Sequence, residues 1–105
     1  MKTYNIRVVN NKENLLANIP GYLYEYMGFK FFIHKNYSLK ENSEVYSIWK
    51  VSEFNTGMGF ISCADSKKEC YERIHDWFNV DDKEYRMKLL DDTISNGLRK
   101  YGKAN

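Results

Sequence analysis

Apolar residues that recur every second position mark strands, and those that recur every third and fourth mark helices. Tyr4 to Val9 alternates and is rich in β-branched residues, which predicts a strand. Asn10 to Pro20 is polar and Asn-rich around "NLLA", and reads as a loop with a short helical turn closed by Pro20-Gly21. Two hairpins follow. Each carries a Gly where a three-residue loop wants a left-handed residue: "YMG" (Tyr26 to Gly28) and "NTG" (Asn55 to Gly57). A two-residue loop would force Met27 or Thr56 to positive φ, which their side chains disfavour.

The loop sets the register, and the register sets the faces. In the second hairpin a three-residue loop puts Trp49 opposite Cys63 and Val51 opposite Ile61 on an apolar inner side. Lys50 then faces Ser62, and Ser52 faces Phe60, outside. In the first hairpin it groups Leu23, Phe29, Phe31 and Ile33 inside and leaves Tyr22, Tyr24, Lys30, Phe32 and His34 outside. One apolar face per hairpin is expected of an antiparallel sheet covered on one side.

Two helices complete the pattern. Ser66 and Glu69 in "SKKE" form a capping box, after which Cys70, Ile74, Trp77 and Phe78 make a core-facing stripe. The second helix starts near Asp81, where acids suit the helix dipole. Met87, Leu90, Ile94, Leu98 and Tyr101 follow in steps of three and four, and Gly102 supplies the stop. The expected fold is a single α+β domain spanning residues 1–105. It is an antiparallel sheet of four to five strands with two C-terminal helices packed on one face. Its core is Leu23, Phe31, Ile33, Trp49, Val51, Ile61, Cys63, Cys70, Ile74, Trp77, Leu90 and Ile94.

Composition changes this picture in one respect. Among 105 residues, nine Tyr, six Phe and two Trp are a heavy aromatic load, and aromatic rings left outside a core make large contact surfaces. The net charge of +2 gives no indication of a mainly electrostatic grip on duplex DNA, and leaves room for a local basic patch. No apolar run reaches the length of a membrane span and no signal-peptide pattern opens the chain, so the expectation is a cytoplasmic protein with reduced cysteines.

Candidate chemistry is sparse. Cys63, Cys70, His34 and His75 lack the close ligand pairs of a zinc knuckle, and Cys70 and His75 stand about 140° apart around a helix. No C-x-x-C redox pair, nucleophile elbow, Walker loop or dinucleotide fingerprint is present. The expectation is therefore a non-enzyme with no metal and no small-molecule cofactor, whose two cysteines serve as small core residues.

What remains is the outer face of the sheet: Tyr22, Tyr24, Lys30, Phe32, His34, Lys50 and Phe60, with Phe54, Met58, Tyr46 and Ile48 beside them. An exposed aromatic patch rimmed by cations reads as a site for a partner protein or for a second copy of the chain. The alternative is nucleic acid, with Tyr22, Tyr24, Phe32 and Phe60 stacking single-stranded bases and Arg7, Lys30 and Lys50 meeting phosphates. Against both stands cover from elsewhere: the Asn10 to Pro20 segment, a helix or a second copy.

His34-Lys35 and the run "WKVSEFNTGMGFISCADSKKEC" (Trp49 to Cys70) carry a resemblance. In order they give a strand with Trp, a Thr-Gly turn, a short strand and a Ser-Lys-Lys-Glu helix start. This resembles small uncharacterised accessory proteins encoded by phages, plasmids and conjugative elements of low-GC bacteria. The resemblance implies a mobile-element setting and non-catalytic binders: inhibitors of host defence proteins, relaxosome or replication accessories, or small regulators. It carries no site residue.

Overall fold

The structure, a computed structural model, describes residues 2–10, 13–38 and 43–105, and the side chains of residues 2–8, 15–36 and 48–105. Six strands precede two helices: β1 (Thr3–Asn10), β2 (Glu13–Pro20), β3 (Tyr22–Tyr26), β4 (Phe29–Ser38), β5 (Ser43–Glu53), β6 (Gly59–Ala64), α1 (Lys67–Asn79) and α2 (Lys83–Tyr101). β1 and β2 pair as an antiparallel ribbon, and β3 to β6 form an antiparallel sheet in the order β3-β4-β5-β6. The fold is α+β, with the C-terminal helices on one face of the larger sheet.

Both helices begin as their sequences dictate. Ser66 Oγ accepts the Glu69 amide at 3.1 Å, and Glu69 in turn accepts the Asp65 amide and pairs with Arg73 at 2.6 Å. Asp82 caps α2 through the Tyr85 amide, and Gly102, at φ 80°, donates its N–H to Leu98. The α1 stripe of Cys70, Ile74 and Phe78 lies fully buried against Phe31, Ile33, Val51 and Ala64, with Leu90 from α2.

The other face of the sheet is covered by the ribbon. Asn10 to Pro20, expected to be a loop with a helical turn, instead enters β2 at Glu13. Its alternate residues Ala17 and Ile19 join Ile6 in a second apolar cluster around Phe32. The adjacent Leu15-Leu16 pair hid that alternation, and both leucines remain exposed. Pro20 and Gly21 turn the chain from ribbon to sheet. At Gly21 a Cβ would collide with the Phe32 ring and the Ile33 carbonyl oxygen, so only glycine fits this crossing.

Two registers differ from expectation. The first hairpin closes with a two-residue turn: Tyr26 pairs with Phe29, and Met27 and Gly28 both adopt positive φ, at 55° and 82°. A left-handed Met costs about 1–2 kcal/mol. The primed turn matches the twist of the flanking strands, and the shifted register gathers Tyr22, Tyr24 and Tyr26 beside α1, where aromatic burial outweighs that cost. Tyr22 and Tyr24 therefore lie on the helix side and not the outer one, while Leu23, placed in the core from sequence, faces outward and is 38% exposed.

The second hairpin keeps Val51 opposite Ile61, but its loop is longer than three residues. The Glu53 N–H donates to Met58 O at 2.8 Å, enclosing Phe54 to Gly57, with Gly57 left-handed at φ 70°. The buried Glu53 carboxylate holds this loop by accepting the Asn55 and Thr56 amides, each at 2.8 Å. Register shifts on both sides of Val51 add residues to β6. They place Trp49 opposite Ala64, leave Cys63 exposed instead of inward, and turn Phe60 onto the helix side.

Candidate protein-interaction edge

The residues singled out for the outer face do not converge. Phe32 is fully buried under the ribbon, 5.3 Å from the Tyr4 ring. His34, 2% exposed, accepts or donates at Nε2 with Ser52 Oγ and meets Lys35 O through Nδ1, each at 2.8 Å. Burial lowers its pKa, the Lys35 carbonyl opposes that, and Lys50 reinforces it. Lys50 pairs across from His34 and is half-buried. Lys30 sits 3.8 Å from Glu25 and 4.8 Å over the Phe54 ring. Phe60 is wedged between Phe31 and Trp77. Arg7 donates from Nε to Thr56 O and from Nη2 to Gly102 O. The Tyr46 side chain lies outside the described residues. The row of bases imagined on Tyr22, Tyr24, Phe32 and Phe60 thus has no common platform.

The four metal candidates are equally dispersed. Cys63 is exposed on β6, Cys70 is buried under α1 with its thiol pushed up to about 11 chiefly by burial, and His34 and His75 lie on opposite faces of the sheet. Among the described residues no three His, Cys, Asp or Glu side chains gather to hold a metal.

A different constellation does form, along β3. Two strand residues advance about 6.8 Å and four helical residues about 6.0 Å, so Tyr22, Tyr24 and Tyr26 stay level with Lys67, Tyr71 and His75. Lys67 Nζ sits 3.9 Å from the Tyr22 ring, Tyr71 meets Tyr24 edge-on at 4.7 Å, and His75 stacks on Tyr26 at 4.2 Å. The Tyr24 hydroxyl is hydrogen-bonded to His75 Nε2. Burial, then the Tyr26 and Tyr71 hydroxyls, raise the Tyr24 pKa, so it stays a neutral hydrogen-bonding phenol. All five rings are half-buried. Sequence reasoning found Tyr22 and Tyr24 but missed Tyr26, Tyr71 and His75. The signal was there, in aromatics repeating by two on a strand and by four on a helix.

The backbone beside this row is open. The Phe54 N–H donates to Lys30 O at 3.0 Å, so the hydrogen-bonding groups of Lys30 point toward β5. Its cross-strand partner Glu25 therefore points its own N–H and C=O the other way, off the free side of β3, and so does Leu23 two residues earlier. Among the described residues no backbone partner meets them.

The opposite edge of the same sheet is guarded. Irregular register breaks β6, and the Arg73 guanidinium covers the Cys63 carbonyl. Charge also differs along β3. Lys2 and Lys67 stand at the Tyr22 end, where Lys2, Tyr4, Gly21, Tyr22 and Leu23 line a shallow cleft. Glu25, Glu53 and Asp91 line a cleft of about 330 Å³ at the turn end, together with Lys30.

Comparisons with protein-family models, curated proteins and solved structures find no match, so the functional reading rests on this chain's own geometry.

Proposed function

We propose that this chain is a non-catalytic protein-binding module that takes an extended segment of its partner onto the free side of β3. The observation that carries this reading is the asymmetry between the two edges of one sheet. β6 is bulged and has a carbonyl capped by Arg73, the usual devices against unwanted pairing. β3 is regular over all five of its pairs and leaves Leu23 and Glu25 without backbone partners among the described residues.

Strand addition draws affinity from main-chain hydrogen bonds and specificity from alternate side chains. β3 offers both. Leu23 and Glu25 supply the donors and acceptors, and the half-buried rings of Tyr22, Tyr24 and Tyr26 supply amphipathic contact area of the kind enriched at interfaces. The outer face, the first candidate from sequence, serves instead as the seat of the ribbon.

A photo-crosslinking amino acid introduced at Leu23, with a control at Ser62 on β6, tests the reading. A partner segment captured at position 23 and not at 62, with capture lost in Glu25→Pro, is the expected result. Equal capture at both edges, or capture unaffected by Glu25→Pro, would overturn it.

A further inference from the structure

We infer that the segment β3 accepts is β3 of a second copy, so that two chains join edge to edge into one continuous eight-stranded sheet. This deepens the strand-addition reading and rests on it. The argument begins with backbone complementarity. In an antiparallel pair, residues that exchange both N–H and C=O alternate with residues that exchange neither. If the two-fold axis passes beside Tyr24, Leu23 of each copy faces Glu25 of the other. All four outward groups of each strand are then used, in four hydrogen bonds across the seam.

Neighbouring registers do worse. Pairing Leu23 with itself brings Glu25 opposite Gly21, whose N–H is already donated to Lys2 O at 3.3 Å. Pairing Glu25 with itself sets like charges face to face. Beyond Glu25 and Tyr26 the strand ends in the Met27-Gly28 turn.

Side chains agree with the Tyr24-centred register. Tyr22 of one copy falls opposite Tyr26 of the other, so the tyrosine row continues across the seam on the helix side. The antiparallel sense also brings the Lys2 and Lys67 end of one edge beside the Glu25 and Asp91 end of the other, at both ends of the seam. A partner strand of unrelated sequence would have to reproduce this charge order; a second copy carries it already. Closed two-fold pairing of this kind also removes the exposed edge from both chains.

Sedimentation equilibrium over a concentration series tests the assignment, with far-UV circular dichroism to check folding. Glu25→Pro deletes an outward N–H while sparing the β3–β4 ladder, since edge positions with solvent-facing N–H groups tolerate proline. Leu23→Glu is the second variant: it touches no backbone group and sets a like charge opposite Glu25 of the other copy.

The expected result is a dimer in the wild type and at least about tenfold weaker dimerisation in each folded variant. Should Glu25→Pro fail to fold, Leu23→Glu alone decides. A wild-type chain that stays monomeric throughout overturns the second-copy assignment, while edge-specific crosslinking at Leu23 to another protein would leave strand addition standing. A dimer unaffected by either variant overturns the edge as its interface.

Discussion

The two faces of the four-stranded sheet are covered by different means. On one side Cys70, Ile74 and Phe78 of α1, with Leu90 of α2, bury Phe31, Ile33, Val51 and Ala64 in a continuous apolar layer. On the other side the ribbon supplies a smaller cluster, Ile6, Ala17 and Ile19 around Phe32, and much of its attachment is polar. The Arg7 N–H donates to Gly57 O at 2.7 Å, Asn5 Nδ2 donates to Ala104 O, and the Ala104 N–H donates to Asn55 O. Apolar burial is cooperative and scales with area, whereas partly exposed hydrogen bonds contribute about 1 kcal/mol each. The helix side therefore holds the molecule together, and the ribbon behaves as a separately opening unit on it.

Substitutions deep in each layer test that contrast most severely. Phe78→Ala should cost about 3–5 kcal/mol of global stability in urea unfolding, with strands and helices lost together. Ile19→Ala should cost about 2–5 kcal/mol, towards the low end, but its main signature is local. Amide exchange should accelerate in β1 and β2 well before it does in α1. If the amides of both layers accelerated equally in Ile19→Ala, ribbon and helices would be one cooperative unit and the contrast would fail.

Within the helix layer the two cysteines report interior against surface. Cys70 is fully buried and its thiol is pushed up to about 11, while Cys63 is exposed. Cys70→Ala should cost about 1–2 kcal/mol for lost burial, and Cys63→Ala should leave stability unchanged. Iodoacetamide should label Cys63 in the native protein and Cys70 only after unfolding. Native labelling of Cys70 would mean that α1 lifts from the sheet without global unfolding.

How much of this was legible depended on whether a residue's surroundings were local. Both helices could be read from caps and stripes because Ser66, Asp82 and Gly102 act within a turn of their own positions. The faces of β4 were legible for a similar reason: Phe29, Phe31 and Ile33 alternate against Lys30, Phe32 and His34 whichever turn precedes them. β3 was not, because its face hangs on one torsion, the positive φ of Met27, and a single-residue shift turned Tyr22 and Tyr24 from the outer side to the helix side. The bulges of β6 had no sequence mark, so Cys63 and Phe60 were each assigned to the wrong side. The candidate edge was thus visible as a set of aromatic residues and invisible as a place.

The ribbon layer carries the titratable group that separates the two faces by pH. Burial lowers the folded-state pKa of His34, and Lys50 adds to the effect, so the native state holds the ring neutral while the unfolded chain binds a proton near the ordinary value of about 6.5. The stability that His34 contributes is full above that value and is lost as pH falls through and below it. Unfolding free energy measured from pH 7 downward should decline in the wild type and be flatter in His34→Gln, which keeps a polar side chain beside Ser52. Protection of the β1 and β2 amides, taken relative to their intrinsic exchange rates, should fall first on acidification. An unchanged slope in the variant would place the acid sensitivity elsewhere.

The smallest effect expected lies where the chain after α2 ties ribbon to loop. Asn105 Nδ2 donates to Asn5 O at 2.9 Å and to Phe54 O at 2.8 Å, and its side-chain oxygen accepts the Asn5 amide at 2.8 Å. Three bonds meet at one exposed residue, so water replaces most of each when the side chain is removed. Asn105→Ala should therefore cost only about 1 kcal/mol in global unfolding. Because its partners are β1 and the Phe54 to Met58 loop, the loss should fall on the ribbon: exchange at Asn5 and Arg7 should quicken while the α1 amides stay as they were. Double substitution with Ile19→Ala sharpens the contrast, since groups that hold one opening unit should couple non-additively in a cycle. Strict additivity would mean that the apolar cluster and the polar clasp fasten the ribbon independently.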